Sequence, residues 1–123
     1  VVISMNTIKN FNDKGISIGE KSKAILQENT FIENNIAVAI KDESKVYNLD
    51  NTYIDNNLKI SMYIKKFIFK EPTLYLDKRN KLEKIKKNKY KIMNGDIIFI
   101  DKKNKSNFNN KFINEITSSR ISI

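Results

Sequence analysis

The chain reads Asn29-Thr30-Phe31-Ile32-Glu33-Asn34-Asn35, and 22 residues later it reads Asn51-Thr52-Tyr53-Ile54-Asp55-Asn56-Asn57. Over the wider ranges 22–35 and 44–57, seven of fourteen positions are identical. Unrelated segments of this composition would share roughly one or two positions, and a repeat of about 20 to 50 residues is typical of solenoids. The repeat therefore predicts an architecture built from stacked, equivalent units.

Within each unit, short alternating apolar segments are separated by Asn, Asp, Lys, Ser and Gly. This is the pattern of short strands joined by tight turns. In one unit we expect strands at 24–27, 30–32 and 37–40, so that three strands make one triangular coil. The sequence thus predicts an all-β fold over 1–123, a single-stranded parallel β-helix of about five coils of ~22 residues, whose core forms only by stacking.

Apolar columns follow from this register, since equivalent residues of successive coils lie about 4.8 Å apart. The predicted columns are Ile16, Val38, Ile60, Ile98 and Ile121; Ile18, Ile40, Met62, Ile100 and Ile123; and Ile8, Phe31, Tyr53 and Phe112. The first two contain an interval of 38 residues, which is one coil and 16 further residues. We therefore predict an insertion in the third coil, in the lysine-rich segment 78–91.

The quoted repeats, together with the degenerate copy Asn110-Lys111-Phe112-Ile113-Asn114, resemble right-handed parallel β-helix repeats of the pectate-lyase-like superfamily. More narrowly, segments 13–22 and 36–44 look like β-helix segments of large bacterial surface or secreted proteins. The resemblance covers 3–64 and, in degenerate form, 92–123. It implies a right-handed solenoid, and this fold carries lyases, hydrolases, epimerases, adhesins and spacers alike.

Members that act on polysaccharides typically place the sugar chain across one strand face, and the resemblance locates that face here. Its outward row would contain Ser17, Ala39, Ser61, Phe99 and Ser122. The row has no carboxylate or arginine for general acid–base chemistry, and the chain has no histidine or cysteine. We expect a non-catalytic scaffold or glycan-contacting module. The alternative is a piece of a polysaccharide lyase, hydrolase or epimerase whose active residues lie in other coils.

One asparagine column is predicted to be structural. Asn6, Asn29 and Asn51 are spaced by 23 and 22 residues at the same turn. Asparagine tolerates the left-handed backbone conformation of a tight corner, and stacked amides hydrogen-bond from coil to coil. The spacing predicts an asparagine ladder.

A carboxylate pair suggests the one candidate metal site. Glu20 lies one coil from Asp42, and like charges about 5 Å apart repel unless they are screened or bridged. Calcium takes about six to eight oxygen ligands, more than this pair supplies. Calcium binding and solvated turn residues therefore both remain open, and no other cofactor is expected.

The basic residues are concentrated in one segment, where seven of the 23 lie between Lys78 and Lys89. The candidate residues for binding an anionic polymer are Lys78, Arg79, Lys81, Lys84, Lys86, Lys87, Lys89 and Lys91. The segment is expected to be either a solvated insertion without a partner or a contact for an anionic polymer, for which an acidic polysaccharide is the candidate. Nucleic-acid binding is disfavoured because Tyr90 is the only aromatic residue available for base stacking there.

The remaining expectations concern the parent protein. No apolar run reaches the ~18 residues that a membrane-spanning helix needs, so no membrane span is expected. Both ends read as strands within a coil, and the first residue is Val1. We expect a fragment of a larger bacterial protein, continuing at both ends, at the cell surface or outside the cell.

Overall fold

The structure, a computed structural model, describes residues 1–77 and 89–100. In this part the chain forms strands and turns, without helices. The strands are β1 (Val2–Ser4), β2 (Thr7–Lys9), β3 (Lys14–Ile18), β4 (Lys23–Gln27), β5 (Thr30–Ile32), β6 (Ile36–Lys41), β7 (Lys45–Leu49), β8 (Thr52–Ile54), β9 (Leu58–Tyr63), β10 (Thr73–Asp77), β11 (Tyr90–Ile92) and β12 (Asp96–Ile100).

The strands stack into three parallel sheets. A five-stranded sheet has the order β1-β4-β7-β10-β12, a four-stranded sheet has the order β3-β6-β9-β11, and a three-stranded sheet has the order β2-β5-β8. Successive strands along the chain enter different sheets, so a full turn adds one strand to each sheet that it passes through. The described residues form about four turns, and the prediction of an all-β parallel solenoid is confirmed.

Residues that are 22 positions apart in the sequence repeat pair with each other on adjacent strands. Lys23 pairs with Lys45, Phe31 with Tyr53 and Val38 with Ile60. The rings of Phe31 and Tyr53 stack with their centroids 5.1 Å apart and their planes 8° from parallel. The core along the axis includes the buried residues Leu26, Phe31, Val38, Ile40, Val46, Ile60, Met62 and Leu74. Each apolar side chain packs on its equivalent in the next turn, which is how a solenoid buries a surface that one coil cannot bury alone.

The corners use a left-handed backbone, but the asparagines do not supply it. Positive φ angles occur at Met5 (53°), Glu28 (55°) and Asp50 (52°), each immediately before Asn6, Asn29 or Asn51. The left-handed conformation costs a residue with a β-carbon about 1–2 kcal/mol. Sequence analysis assigned that role to the asparagines themselves, whereas the residue before each of them makes the bend.

The register predicted after Met62 is wrong. Tyr90 and Ile92 pair with Ile60 and Met62 in the four-stranded sheet, whereas Ile98 pairs with Tyr75 in the five-stranded sheet. The segments Tyr90-Lys91-Ile92 and Ile98-Phe99-Ile100 both place two apolar residues two positions apart, as Ile60 and Met62 do. The apolar pattern therefore cannot tell which sheet each of them joins.

The extra residues of the third turn lie elsewhere than predicted. Lys45 pairs with Thr73, 28 residues later, and Thr73 pairs with Asp96, 23 residues later. The turn that contains 78–91 therefore has ordinary length, and the additional residues form the segment 64–72 before β10, here called the corner extension. Of the predicted insertion, 78–88 lies outside the described residues and Tyr90–Ile92 is strand β11. Ile121, Ile123 and Phe112 also lie outside them.

Candidate functional site

The outer face of the four-stranded sheet is the surface on which the resemblance would place a sugar chain. Its row runs Ser17, Ala39, Ser61 and Lys91, because these residues pair from strand to strand. Phe99, predicted for this row, instead packs against the core from β12, and Ser122 lies outside the described residues. Ala39 is fully buried and Ser61 is 5% exposed, so of these four residues only Ser17 and Lys91 are exposed.

Longer side chains lie beside this row. Lys41 pairs with Tyr63 at the end of β6 and β9, and the stem of Lys41 lies across Gly19, where a β-carbon would come within 2.9 Å of it. At the opposite end of the face, Lys14 donates to Asp13 at 3.0 Å. That hydrogen bond raises the pKa of Lys14. The face therefore offers amines and a phenol as its polar groups.

The predicted asparagine column forms a continuous hydrogen-bonded series. The side-chain oxygen of Asn29 accepts the backbone N–H of Asn6 at 3.1 Å. The side-chain oxygen of Asn51 accepts both the backbone N–H and the amide Nδ2 of Asn29, at 2.9 and 3.0 Å. Asn29 also donates to the carbonyl of Ile3 at 2.9 Å. These amides form the hydrogen bonds that the backbone groups at the corner need, so their role is structural.

A second asparagine ladder, formed by Asn34 and Asn56, was missed by the sequence analysis, which predicted only the column of Asn6, Asn29 and Asn51. The side-chain oxygen of Asn56 accepts the backbone N–H and Nδ2 of Asn34, both at 2.9 Å. The side-chain oxygen of Asn34 accepts the N–H of Phe11 at 3.1 Å. Asn34 and Asn56 are 2% and 3% exposed. The 22-residue spacing, the same as that of Asn29 and Asn51, was the available signal.

One polar side chain enters the core. Asn48 stands between Leu26 and Leu76 in the five-stranded sheet, and its oxygen accepts the Tyr53 hydroxyl at 2.8 Å and the Asn51 amide. Burial raises the pKa of the Tyr53 phenol, so it stays a proton donor. This contact joins the first ladder to the core.

The carboxylates of the candidate calcium pair contact the corner extension. Asp42 is 1% exposed, and its Oδ1 accepts the backbone N–H groups of Lys65 and Lys66 at 2.7 and 3.0 Å. Glu20 accepts Lys66 Nζ at 2.5 Å, a contact that lowers the pKa of Glu20 and raises that of Lys66. Calcium binding by this pair stays a prediction, and it would have to displace these donors. Residues 1–77 and 89–100 contain no group of three or more metal-ligating acids.

A third carboxylate, Glu43, holds the far end of the extension. Its Oε1 accepts the backbone N–H of Lys70 at 3.0 Å, and its Oε2 lies 3.6 Å from Lys21 Nζ. The hydrogen bond from Lys70 is the main reason why the pKa of Glu43 is lowered, and Lys21 contributes further. The acidic corner thus works as a clamp for the segment 64–72.

Only the last two of the predicted polymer-binding residues lie in the described part of the chain. Lys89 Nζ donates to the carbonyl of Asn56 at 2.8 Å, so it caps the second ladder. Lys91 is exposed on the outer face of the four-stranded sheet, next to Ser61. The others lie outside the described residues: Lys78, Arg79, Lys81, Lys84, Lys86 and Lys87.

No helix in the described ranges is long and apolar enough to cross a membrane. Comparison of the chain with protein-family models, with curated proteins and with solved structures gives no match. The parallel solenoid itself is therefore the firm basis for a functional proposal.

Proposed function

We propose that this chain is a non-catalytic scaffold module that contacts an acidic polysaccharide through the outer face of its four-stranded sheet. The observation that carries the proposal is the composition of that face. Its central row contains Ser17, Ala39, Ser61 and Lys91, and Lys14, Lys41 and Tyr63 border it. Ser17 and Lys91 are the exposed residues of the row, so Lys91 and the neighbouring Lys41 are the amines proposed to meet the ligand.

The polymer is proposed to be a polyuronate because its carboxylates would pair with the amines of this face. Lys14, Lys41 and Lys91 lie in three different turns of the sheet and at three different positions across its strands. Nucleic acid is a weaker candidate, since Tyr63 is the one aromatic side chain for base stacking that we assign to this face within the part of the chain that the structure describes. The lysine-rich segment 78–91 remains a proposed second contact for the same polymer.

The two ladders support the scaffold part of the proposal. The ladders bond each of the first three turns to the next through side-chain amides. We propose further that the solenoid is right-handed and of the pectate-lyase-like type. Parallel strands joined by crossovers are right-handed in about 98% of cases. By the same resemblance, its setting would be a bacterial surface or secreted protein.

The test compares retention of the chain on immobilised polygalacturonate, on a neutral glucan and on duplex DNA, at low and at physiological salt. The double variant Lys41→Gln/Lys91→Gln should bind polygalacturonate about four- to twentyfold more weakly, since each exposed ion pair contributes up to about 1 kcal/mol. The matched control is Lys9→Gln/Lys45→Gln, which removes two lysines that lie exposed on other sheets.

We expect binding to polygalacturonate that persists at physiological salt and exceeds binding to DNA. Equal binding to both polyanions that vanishes with salt would contradict the proposal, because counterion release alone would then explain it. Equal loss in the control variant would also contradict it, since the effect would then reflect net charge.

A further inference from the structure

The corner extension carries a second surface that the scaffold proposal does not use. At the equivalent corner one turn earlier, only 42–44 separate β6 from β7, whereas 64–72 separate β9 from β10. The additional residues project Phe67 and Ile68, which are 95% and 77% exposed. Among the large apolar residues of the described ranges, Phe67 is the most exposed.

Phe67 and Ile68, here called the tip, lie between two ends of the extension that are held by hydrogen bonds. Asp42 accepts the N–H groups of Lys65 and Lys66 on one side, and Glu43 accepts the N–H of Lys70 on the other. Between them, the N–H of Phe69 donates to the carbonyl of Lys66 at 3.0 Å and closes a turn. The contacts fix both ends of the segment, so its two apolar side chains point away from the core.

Charge is unevenly distributed along the extension. Exposed Lys65 and Lys70 flank the tip, while Lys66 reaches back to Glu20. The carboxylates of Glu20, Asp42 and Glu43 accept the hydrogen bonds described above, and exposed Glu71 lies within the extension after Lys70. Two apolar side chains between lysines form a surface that matches the boundary between lipid headgroups and acyl chains.

We propose that the corner extension binds anionic membrane surfaces by inserting Phe67 and Ile68 into the bilayer interface, with Lys65 and Lys70 at the phosphate level. A protein partner would need about 800 Å² of contact per side, far more than two side chains provide. A bilayer needs no such complementary surface, because shallow apolar insertion adds to the attraction of nearby lysines for anionic lipid. This binding site goes beyond the proposed polysaccharide contact.

The direct probe is Phe67→Trp, since the chain contains no tryptophan and the new side chain would report alone. Phosphatidylcholine vesicles with phosphatidylglycerol should shift its emission to the blue, and pure phosphatidylcholine vesicles should shift it much less. Absence of a shift with the anionic vesicles would overturn the proposal. A shift that grows with protein concentration without vesicles would also overturn it, by showing that a second copy covers the tip.

Vesicle sedimentation provides the variant test. Phe67→Ser/Ile68→Ser should lower the affinity for anionic vesicles at least about tenfold, because burial of each side chain favours the bound state by roughly ten- to hundredfold. The matched control, Met5→Ser/Phe11→Ser, changes two other exposed apolar residues and should leave binding unchanged. Equal binding by the tip variant and the wild type would show that charge alone holds the protein and would overturn the inserted tip.

A variant without the two lysines separates the contribution of charge from that of the apolar side chains Phe67 and Ile68. Lys65→Gln/Lys70→Gln should weaken binding to anionic vesicles about fivefold for each lysine near the surface. It should hardly change retention on polygalacturonate, because neither residue lies on the outer face of the four-stranded sheet. If this variant bound anionic vesicles as tightly as the wild type, the proposed role of the two lysines would be overturned.

Discussion

At each ladder corner an asparagine and the residue before it divide two tasks. Glu28 takes the left-handed backbone conformation, and Asn29 supplies the hydrogen bonds that the bent backbone needs. The same division recurs at Asp50 and Asn51, and again at Glu33 and Asn34. Because the amide both donates and accepts, one side chain serves two turns at once.

Asn56→Ala should lower the free energy of unfolding by about 2–4 kcal/mol. The substitution removes the oxygen that accepts two N–H groups of Asn34 and leaves buried donors unpaired, each costing about 1–3 kcal/mol. Asn57→Ala is the matched control, since its amide contacts Asn35 at the exposed surface. Urea denaturation of both variants checks the prediction, and equal stability for the two would refute the ladder's structural role.

The corner clamp should open in acid. Hydrogen bonding lowers the pKa values of Glu20 and Glu43 from their ordinary value of 4.5. Their contribution is therefore complete above that value and is lost as the pH falls through the lowered pKa values. The Lys70 amide resonance should titrate with a midpoint below 4.5. A midpoint at or above 4.5, or an unchanged titration in Glu43→Gln, would exclude Glu43 as the clamp.

At the scale of the element, the sequence identified some strands and misplaced others for a physical reason. The strands β4 to β9 could be predicted because residues 22–57 repeat their columns almost without change. After Met62 the chain offers a further apolar segment, Phe67 to Phe69, yet the structure exposes Phe67 and Ile68. Hydrophobicity identifies residues that are able to pack in a core. It does not determine which sheet a segment joins or which residues it will contact.

The candidate site shows the same limit. The one-coil spacing placed Glu20 and Asp42 at the same corner, and both do hold the corner extension. Their partners, the amides of Lys65 and Lys66 and the amine of Lys66, come from a segment whose path the repeat does not determine. A sequence reading sees two like charges in need of a cation, whereas the fold supplies nitrogen donors from a longer loop.

Two deletions distinguish the observed register from the one predicted by the apolar columns. Deletion of 65–70 should preserve the β-rich circular dichroism, because three residues then join β9 to β10, as 42–44 join β6 to β7. The free energy of unfolding of this variant should fall by about 1–3 kcal/mol, since buried Asp42 loses its amide donors.

Deletion of 78–91 should instead abolish the cooperative urea transition of the last turns, since it removes most of β11 and leaves too few residues for a full turn. Both deletions are followed by circular dichroism and urea denaturation. If the 78–91 deletion were the better tolerated of the two, the pairing of Tyr90 with Ile60 would be wrong.

At the scale of the whole molecule, the stacking of turns determines both the stability of the core and the arrangement of side chains on the surface. The three sheets share one axial core, and any feature repeated in sequence is repeated along that axis. The formal net charge of +9 is informative where lysines gather on one face, as Lys14, Lys41 and Lys91 do on the four-stranded sheet. A polymer that carries carboxylates is the ligand that we propose for this face.

The most direct test of the account is to incubate the chain with a defined oligogalacturonate and measure, in one sample, both the bound fraction and the length of the sugar chain. We predict saturable binding at physiological salt, weakened in Lys41→Gln/Lys91→Gln, with the oligosaccharide recovered at its original length. Shortened or unsaturated products would contradict the non-catalytic scaffold and establish an enzyme, and the absence of binding would contradict the polysaccharide contact.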